Sequence, residues 1–210
     1  LRAAAEIPSI RPQFEGGGRM KIYGDSISGN CLKVKWVADS LGRSYDWIET
    51  SVLARQSRTP EYLALNPAGQ VPMVVFADGR PLAQSNAIIL HLAEGSPLIP
   101  ADPYDRAKML EWMFWEQYSH EPYVAVARFQ KHYLGAEVEL RIMERGEIAL
   151  RRLEDGLAAS PYLVGDALSL ADVALVAYTR VAHEGGFDLA GYPRVRAWIA
   201  RCERALNIAG

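Results

Sequence analysis

The segment from Asn66 to Glu94, NPAGQVPMVVFADGRPLAQSNAIILHLAE, constrains the fold more than any other part of the chain. It reads as a loop, a Val-Pro step, a short apolar strand, a tight turn, a second short strand and an apolar helix. Asp78-Gly79 suits the turn, because glycine accepts a positive φ without steric cost. Pro72 stands at the start of the strand MVVF, where a residue lacking an N–H is tolerated. Ser85 is the expected N-cap, and Asn86, Ile88, Ile89 and Leu92 behind it follow helical spacing.

Upstream, MKIYG (20–24) reads as a first strand, and Cys31 to Leu41 as an apolar-periodic helix closed by Gly42. YDWIET (45–50) alternates like a strand. TPEYLAL (59–65) reads as a short helix with Thr59 at its cap and Pro60 at its first position. The order β-α-β-α-β-β-α describes an α/β layer with a closing hairpin and helix. After Gly95 the character changes. SPLIPADP carries three prolines within seven residues, which is punctuation between domains. Helical patterns then run over 104–132, 137–159, 169–184 and 193–206, with no convincing strand among them.

Bulk properties bound the function. Half of the 210 residues are apolar, 23% are charged and the formal net charge is −2. That balance belongs to a soluble globular protein and offers no broad basic face for nucleic acid. No apolar run approaches the roughly 18–20 residues of a membrane span. Cys31 and Cys202 are too few for a disulfide framework and lack metal-ligand spacing, so a reducing cytoplasmic setting and no metal are expected. Residues 1–19 carry three consecutive glycines and Arg19 just before Met20 and lack the apolar stretch of a signal peptide. They are expected to form a flexible extension.

The order of features around Val71-Pro72 and Gln84-Ser85 resembles the glutathione-binding half of the glutathione S-transferases. A second match lies in GDALSLADVALVAY, where Ser169 stands three residues before Asp172 in a capping box. The helical domain of those enzymes carries a box in the same surroundings. The resemblance covers about 20–208. It implies a thioredoxin-like N-terminal domain over 20–95, a linker over 96–103 and an all-α helical-bundle domain over 104–210.

The resemblance also implies a site for glutathione, which bears two carboxylates, an ammonium and a thiol. Gln84 and Ser85 would hold the γ-glutamyl end at a helix N-terminus, where free N–H groups favour a carboxylate. Val71, ahead of a cis Pro72, would pair with the cysteinyl backbone like an added strand. Gln70 would stand near the glycyl carboxylate, with Gln56 or Arg55 assisting. The thiol needs a partner that favours its thiolate, the reactive form. Ser28 is the candidate, three residues before Cys31 as in the Ser-type pattern S-x-x-C of theta- and delta-like enzymes. Asn30, whose amide can also donate to sulfur, is its rival, and a simple helix cap is the structural alternative for Ser28. Cys31 opens an apolar stripe with Val34 and Ala38 and reads as a buried structural cysteine. Tyr23 lies within a strand, away from the usual place of a catalytic tyrosine.

An electrophile would sit between the domains. Trp112, Trp115, Tyr118, His120 and Tyr123 form an aromatic cluster there, of which Trp115 and Tyr118 are the expected lining of the second pocket. Arg128 is a further candidate. The implied activity is conjugation of glutathione, as co-substrate, to a small electrophile by a cytoplasmic homodimer, a detoxification chemistry. A glutathione-dependent isomerase, dehalogenase, etherase or peroxidase, a Cys31 redox enzyme and a non-catalytic interaction module are the alternatives.

Overall fold

The computed structural model describes residues 19–208. The expected extension over 1–19 therefore lies outside the described residues except for Arg19, which faces Asp46 across 3.5 Å.

Four strands form one mixed sheet in the order β2-β1-β3-β4. β1 (Met20–Gly24) runs parallel to β2 (Tyr45–Glu49) and antiparallel to β3 (Met73–Val75), which pairs with β4 (Pro81–Ala83). Helix α1 (Gly29–Ser40) makes the crossover between β1 and β2, and α2 (Pro60–Leu65) lies between β2 and β3. The Thr59 hydroxyl accepts from the Tyr62 N–H and Pro60 opens α2, as its sequence implies. The β3–β4 turn closes through Gly79 N–H to Phe76 C=O at 2.9 Å, with Gly79 at φ 84°. Helix α3 (Ser85–Ala93) follows β4 directly. Its cap position belongs to Gln84, one residue earlier than the serine expected there.

The remaining regular structure among the described residues is helical. α4 (Pro103–Trp115) is capped by Asp102, whose carboxylate accepts from the Tyr104 and Asp105 N–H groups. The single helix expected over 104–132 is interrupted twice. A π-helical turn (Glu116–His120) separates α4 from α5 (Glu121–Arg128), and a second (Phe129–Tyr133) follows α5. Pro122 accounts for the first interruption, because it has no N–H to donate and its ring crowds the carbonyl a turn earlier. Widening that turn relieves both problems without ending the helix. α6 (Leu140–Gly156), α7 (Leu170–Thr179) and α8 (Pro193–Ala205) complete the bundle. The segment expected to be helical to 184 leaves the α conformation after Thr179 and ends in a 3₁₀ turn, Ala182–Gly185.

One apolar core runs through both parts. Ile22 and Val74 of the sheet, Val34 of α1, Ile88 of α3, Met109 of α4 and Val173 of α7 belong to a single buried cluster. The α7 capping box is present, and Asp172 does more than close it. Its carboxylate accepts from the Ser169 N–H and hydroxyl at 2.9 and 2.8 Å, the Leu163 N–H at 2.9 Å and the Trp198 indole at 2.9 Å. The box thus ties α7 to α8 and to the loop before α7. Asp172→Ala is expected to strand these donors in the core and to lower stability by about 3–5 kcal/mol, which urea unfolding would measure.

Candidate functional site

A cavity of about 670 Å³ opens where the loops at one end of the sheet face α5 and its flanking π turns. Seven of the residues expected to bind glutathione or activate its thiol meet there: Ser28, Asn30, Gln70, Val71, Pro72, Gln84 and Ser85. The loop from β1 to α1 delivers the first two. Asp25 shapes this loop, its carboxylate accepting from the Ile27 N–H at 3.1 Å and the Val52 N–H at 2.7 Å. Ser28 occupies the N-cap position of α1, yet its side chain makes no capping hydrogen bond. Its hydroxyl lies beside the Cys31 thiol and the Tyr178 hydroxyl.

The Tyr178 ring lies so close to Gly29 that a Cβ there would stand 2.9 Å from it. Its oxygen accepts the Asn30 N–H at 3.2 Å. Sequence reasoning missed Tyr178. The available signal was a phenol at the end of the apolar run of α7, since a buried hydroxyl needs a partner.

The Val71–Pro72 bond is cis. Gln84 holds a positive φ of 69°, a region that costs a residue with a Cβ on the order of 1–3 kcal/mol. Ser85, the first residue of α3, directs its hydroxyl to the Asn30 side-chain oxygen at 3.1 Å. The Asn30 amide in turn donates to Glu121 at 3.3 Å. Burial and the nearby charge of Glu116 push the Glu121 carboxyl above the ordinary carboxylate range. Asn30 therefore links all three walls of the cavity.

Other expected residues lie elsewhere. Gln56 does not line the cavity; its side-chain oxygen accepts the Ser51 N–H at 2.7 Å and secures the loop, while Arg55 and Arg58 on either side face the opening. Trp115 packs edge-on against Trp112 at 5.3 Å, with the Arg152 guanidinium 5.7 Å from its ring centre. Tyr118 is 83% exposed. The helical wall consists instead of Gln117, Glu121, Ala125, Val126, Arg128, Phe129 and Tyr133. The first π turn explains the change, because it alters which residues of the long helical segment face the sheet.

Cys31 is wholly buried and burial pushes its thiol up to about 11, so it stays protonated at neutral pH. Burial drives His120 down to about 3, leaving a neutral ring that meets the Thr179 hydroxyl at 3.0 Å. Tyr23 packs edge-on against Tyr62. No group of three or more metal-ligating side chains gathers among the described residues, and no helix there is long and apolar enough to cross a membrane.

Beneath the cavity lies a buried charge cluster. Lys33 of α1 and Glu116 are both fully buried and 3.4 Å apart. The Lys33 ammonium also donates to Asn86 of α3 at 3.1 Å, and the Asn86 amide donates to Glu116 and to the Met113 carbonyl, each at 3.1 Å. Gln117, on the cavity wall, donates to Glu116 at 2.7 Å. Desolvation lowers the Lys33 pKa and the facing Glu116 charge opposes that fall.

Comparison with known proteins decides the family. The model of the glutathione S-transferase N-terminal domain matches residues 27–94, and that of the C-terminal domain matches 140–201. A maleylacetoacetate isomerase of Rhizobium meliloti is 32% identical over 186 residues, covering 83% of this chain and 87% of its own length. The chain belongs to the glutathione S-transferase family. Maize glutathione S-transferase 3 is 30% identical over 194 residues, covering 85% of this chain and 86% of its own. A solved glutathione S-transferase from Pseudomonas fluorescens Pf-5 superposes with a TM-score of 0.86 at 46% identity, covering 89% of this chain and 95% of that one.

Within this transferase fold the Lys33–Glu116–Asn86 cluster joins α1, α3 and the helical wall directly under the cavity. Lys33→Met is expected to leave Glu116 buried without its counter-charge and to cost about 3–5 kcal/mol in urea unfolding. Lys33→Met combined with Glu116→Gln is expected to lose markedly less, because the uncompensated charge is gone.

Proposed function

We propose that this protein is a glutathione transferase that binds glutathione at Gln70, Val71, Gln84 and Ser85 and uses Ser28 to hold its sulfur as thiolate. The observation that carries the reading is the state of Ser28. It occupies a helix N-cap but leaves the capping donors alone, and it borders the same cavity as the cis Val71–Pro72 step and Gln84-Ser85. A hydroxyl that leaves the capping N–H groups alone is available to a ligand sulfur. Tyr178, whose oxygen accepts the Asn30 N–H at 3.2 Å and lies beside Ser28, fits this role by holding the loop that carries the serine.

The electrophile enters from the helical side, where Ala125, Val126 and Phe129 offer apolar surface. The thiolate forms a bond to an electrophilic carbon as a leaving group departs with its electron pair or a π bond shifts onto the neighbouring atom, and the conjugate is then released. Arg55 and Arg58 at the opening suit the glycyl carboxylate better than Gln56. We place the α/β unit at 20–95, the linker at 96–103 and the helical unit at 104–210, and infer a cytoplasmic homodimer working in detoxification. Phe114 and Tyr118, 73% and 83% exposed on the same stretch of helix, support a covered face in an assembly.

A second reading has its own support. The 32% identity to a maleylacetoacetate isomerase favours a glutathione-dependent isomerase on the same site. Such an enzyme returns glutathione at every turnover, whereas a transferase consumes it mole for mole.

Titrating glutathione into the wild type, Ser28→Ala and Asn30→Ala, with thiolate absorbance and binding heat followed against pH, tests the proposal. The wild type is expected to lower the thiol pKa by about one to two units from its free value near ~8.5. Ser28→Ala is expected to bind glutathione and leave its pKa near the free value. Equal acidification by wild type and Ser28→Ala would remove Ser28 from the role, and Asn30→Ala would then show whether the amide holds it.

A further inference from the structure

We propose that the buried Tyr62 hydroxyl is a positioning group for glutathione: with the Asn66 amide it clamps the Gln70 carbonyl, and so turns the Val71 N–H of the same peptide group out toward the ligand. The inference rests on the glutathione-binding reading above and adds a residue that stands behind the cavity wall rather than in it.

The Val71 backbone is the starting point. Neither its N–H nor its carbonyl has a hydrogen-bond partner among the described residues, although β3 begins only two residues later. Unpaired main-chain groups beside a cavity form an edge that an extended peptide can join. The direction of the N–H is set from behind. The Gln70 carbonyl accepts from the Tyr62 hydroxyl at 2.7 Å and from the Asn66 amide at 2.8 Å. Two donors fill both of its lone pairs. The Gln70–Val71 peptide is trans, and in a planar trans peptide the C=O and N–H point in opposite directions. A carbonyl held against α2 therefore sends the Val71 N–H away from α2, and Val71 lines the cavity.

The clamp is itself held in place. Tyr62 and Asn66 are each 5% exposed. The Tyr62 ring packs edge-on against Tyr23 of β1 with centres 6.0 Å apart, which anchors the phenol to the sheet. The Asn66 N–H donates to the Tyr62 carbonyl at 2.8 Å. Asn66 also closes the turn that leads back to Gln70, its side-chain oxygen accepting the Ala68 N–H at 3.3 Å and its carbonyl the Gly69 N–H at 2.9 Å. Burial pushes the Tyr62 phenol up to about 12, so it keeps its proton and its direction of donation at neutral pH. Donation to the carbonyl also polarises the peptide and strengthens the N–H at its other end. Tyr62 thus acts on the ligand through one peptide group, without touching it.

The test titrates glutathione into the wild type and Tyr62→Phe, both isotope-labelled at valine, and follows binding heat, thiolate absorbance and the Val71 amide resonance. The spectrum of Val71→Ala identifies that resonance. Phenylalanine keeps the ring and its packing on Tyr23, and urea unfolding checks that the variant is folded. Tyr62→Phe is expected to weaken glutathione binding about five- to tenfold and to leave the bound thiol pKa unaltered. At saturation the Val71 amide proton is expected to move downfield in the wild type and to move less in the variant. Asn66→Asp, which removes the other donor, is expected to act in the same direction and repeats the comparison on a second side chain. Equal affinity, or weaker binding with the full Val71 shift, would overturn the role of Tyr62 and leave the glutathione reading standing. Weaker binding accompanied by loss of thiol acidification would overturn it too, as a general disturbance of the site. A wild type that binds no glutathione would overturn the glutathione reading and this inference with it.

Discussion

The burial of Lys33 against Glu116 is the constraint around which the site is organised. Neither charge can be removed from water alone, because desolvation of an unpaired ion costs several kcal/mol. The two must therefore arrive together, Lys33 from α1 and Glu116 from the turn after α4. Asn86 enters as the third partner from α3. Those three elements each carry a wall of the cavity. Satisfying the charges thus sets the distance between the Ser28 loop, the N-terminus of α3 and the helical wall. Apolar packing through the shared core supplies cohesion but is non-directional, and it cannot specify this register by itself.

Above that cluster the polar groups are bound to one another across the walls rather than within them. Ser85 reaches Asn30, Asn30 reaches Glu121, and Tyr178 meets the Asn30 backbone beside Ser28. Each bond joins segments far apart in the chain. A ligand entering the cavity exchanges partners with side chains already held in position, so less side-chain freedom is lost on binding than a loose pocket would lose.

Local patterns in the chain were sufficient where the physics is local. Strand alternation, the Asp78-Gly79 turn, the Thr59-Pro60 helix start and the Ser169–Asp172 box depend on neighbours within a few residues, and each lies where its residues imply. The position of Ser85 shows the limit of that reasoning. A serine before an apolar helix is an excellent cap, yet Gln84 takes the position because the chain turns there with a positive φ. The wall residues show a different limit. Trp115 and Tyr118 follow from extending a regular helix, and the π turn at Glu116–His120 shifts the face that meets the sheet. Pro122 was the visible warning, since it implies an irregularity but not its form. Tyr178 and Arg128 act through contacts over long sequence separations, which no local pattern encodes. Lys33 illustrates this best: in sequence it is one lysine in an amphipathic helix, and only its distant partners make a buried lysine tolerable.

The first π turn also bears on how a pocket of this kind can diversify. One residue in a helix corresponds to a rotation of about 100° about its axis. Adding or losing a single residue near Pro122 would swing every later side chain of the segment around the axis, presenting a new set to the ligand. The charge cluster precedes that point and would keep its partners. Substrate range can therefore be redrawn in one genetic step of insertion or deletion, without the gradual replacement of wall residues one at a time.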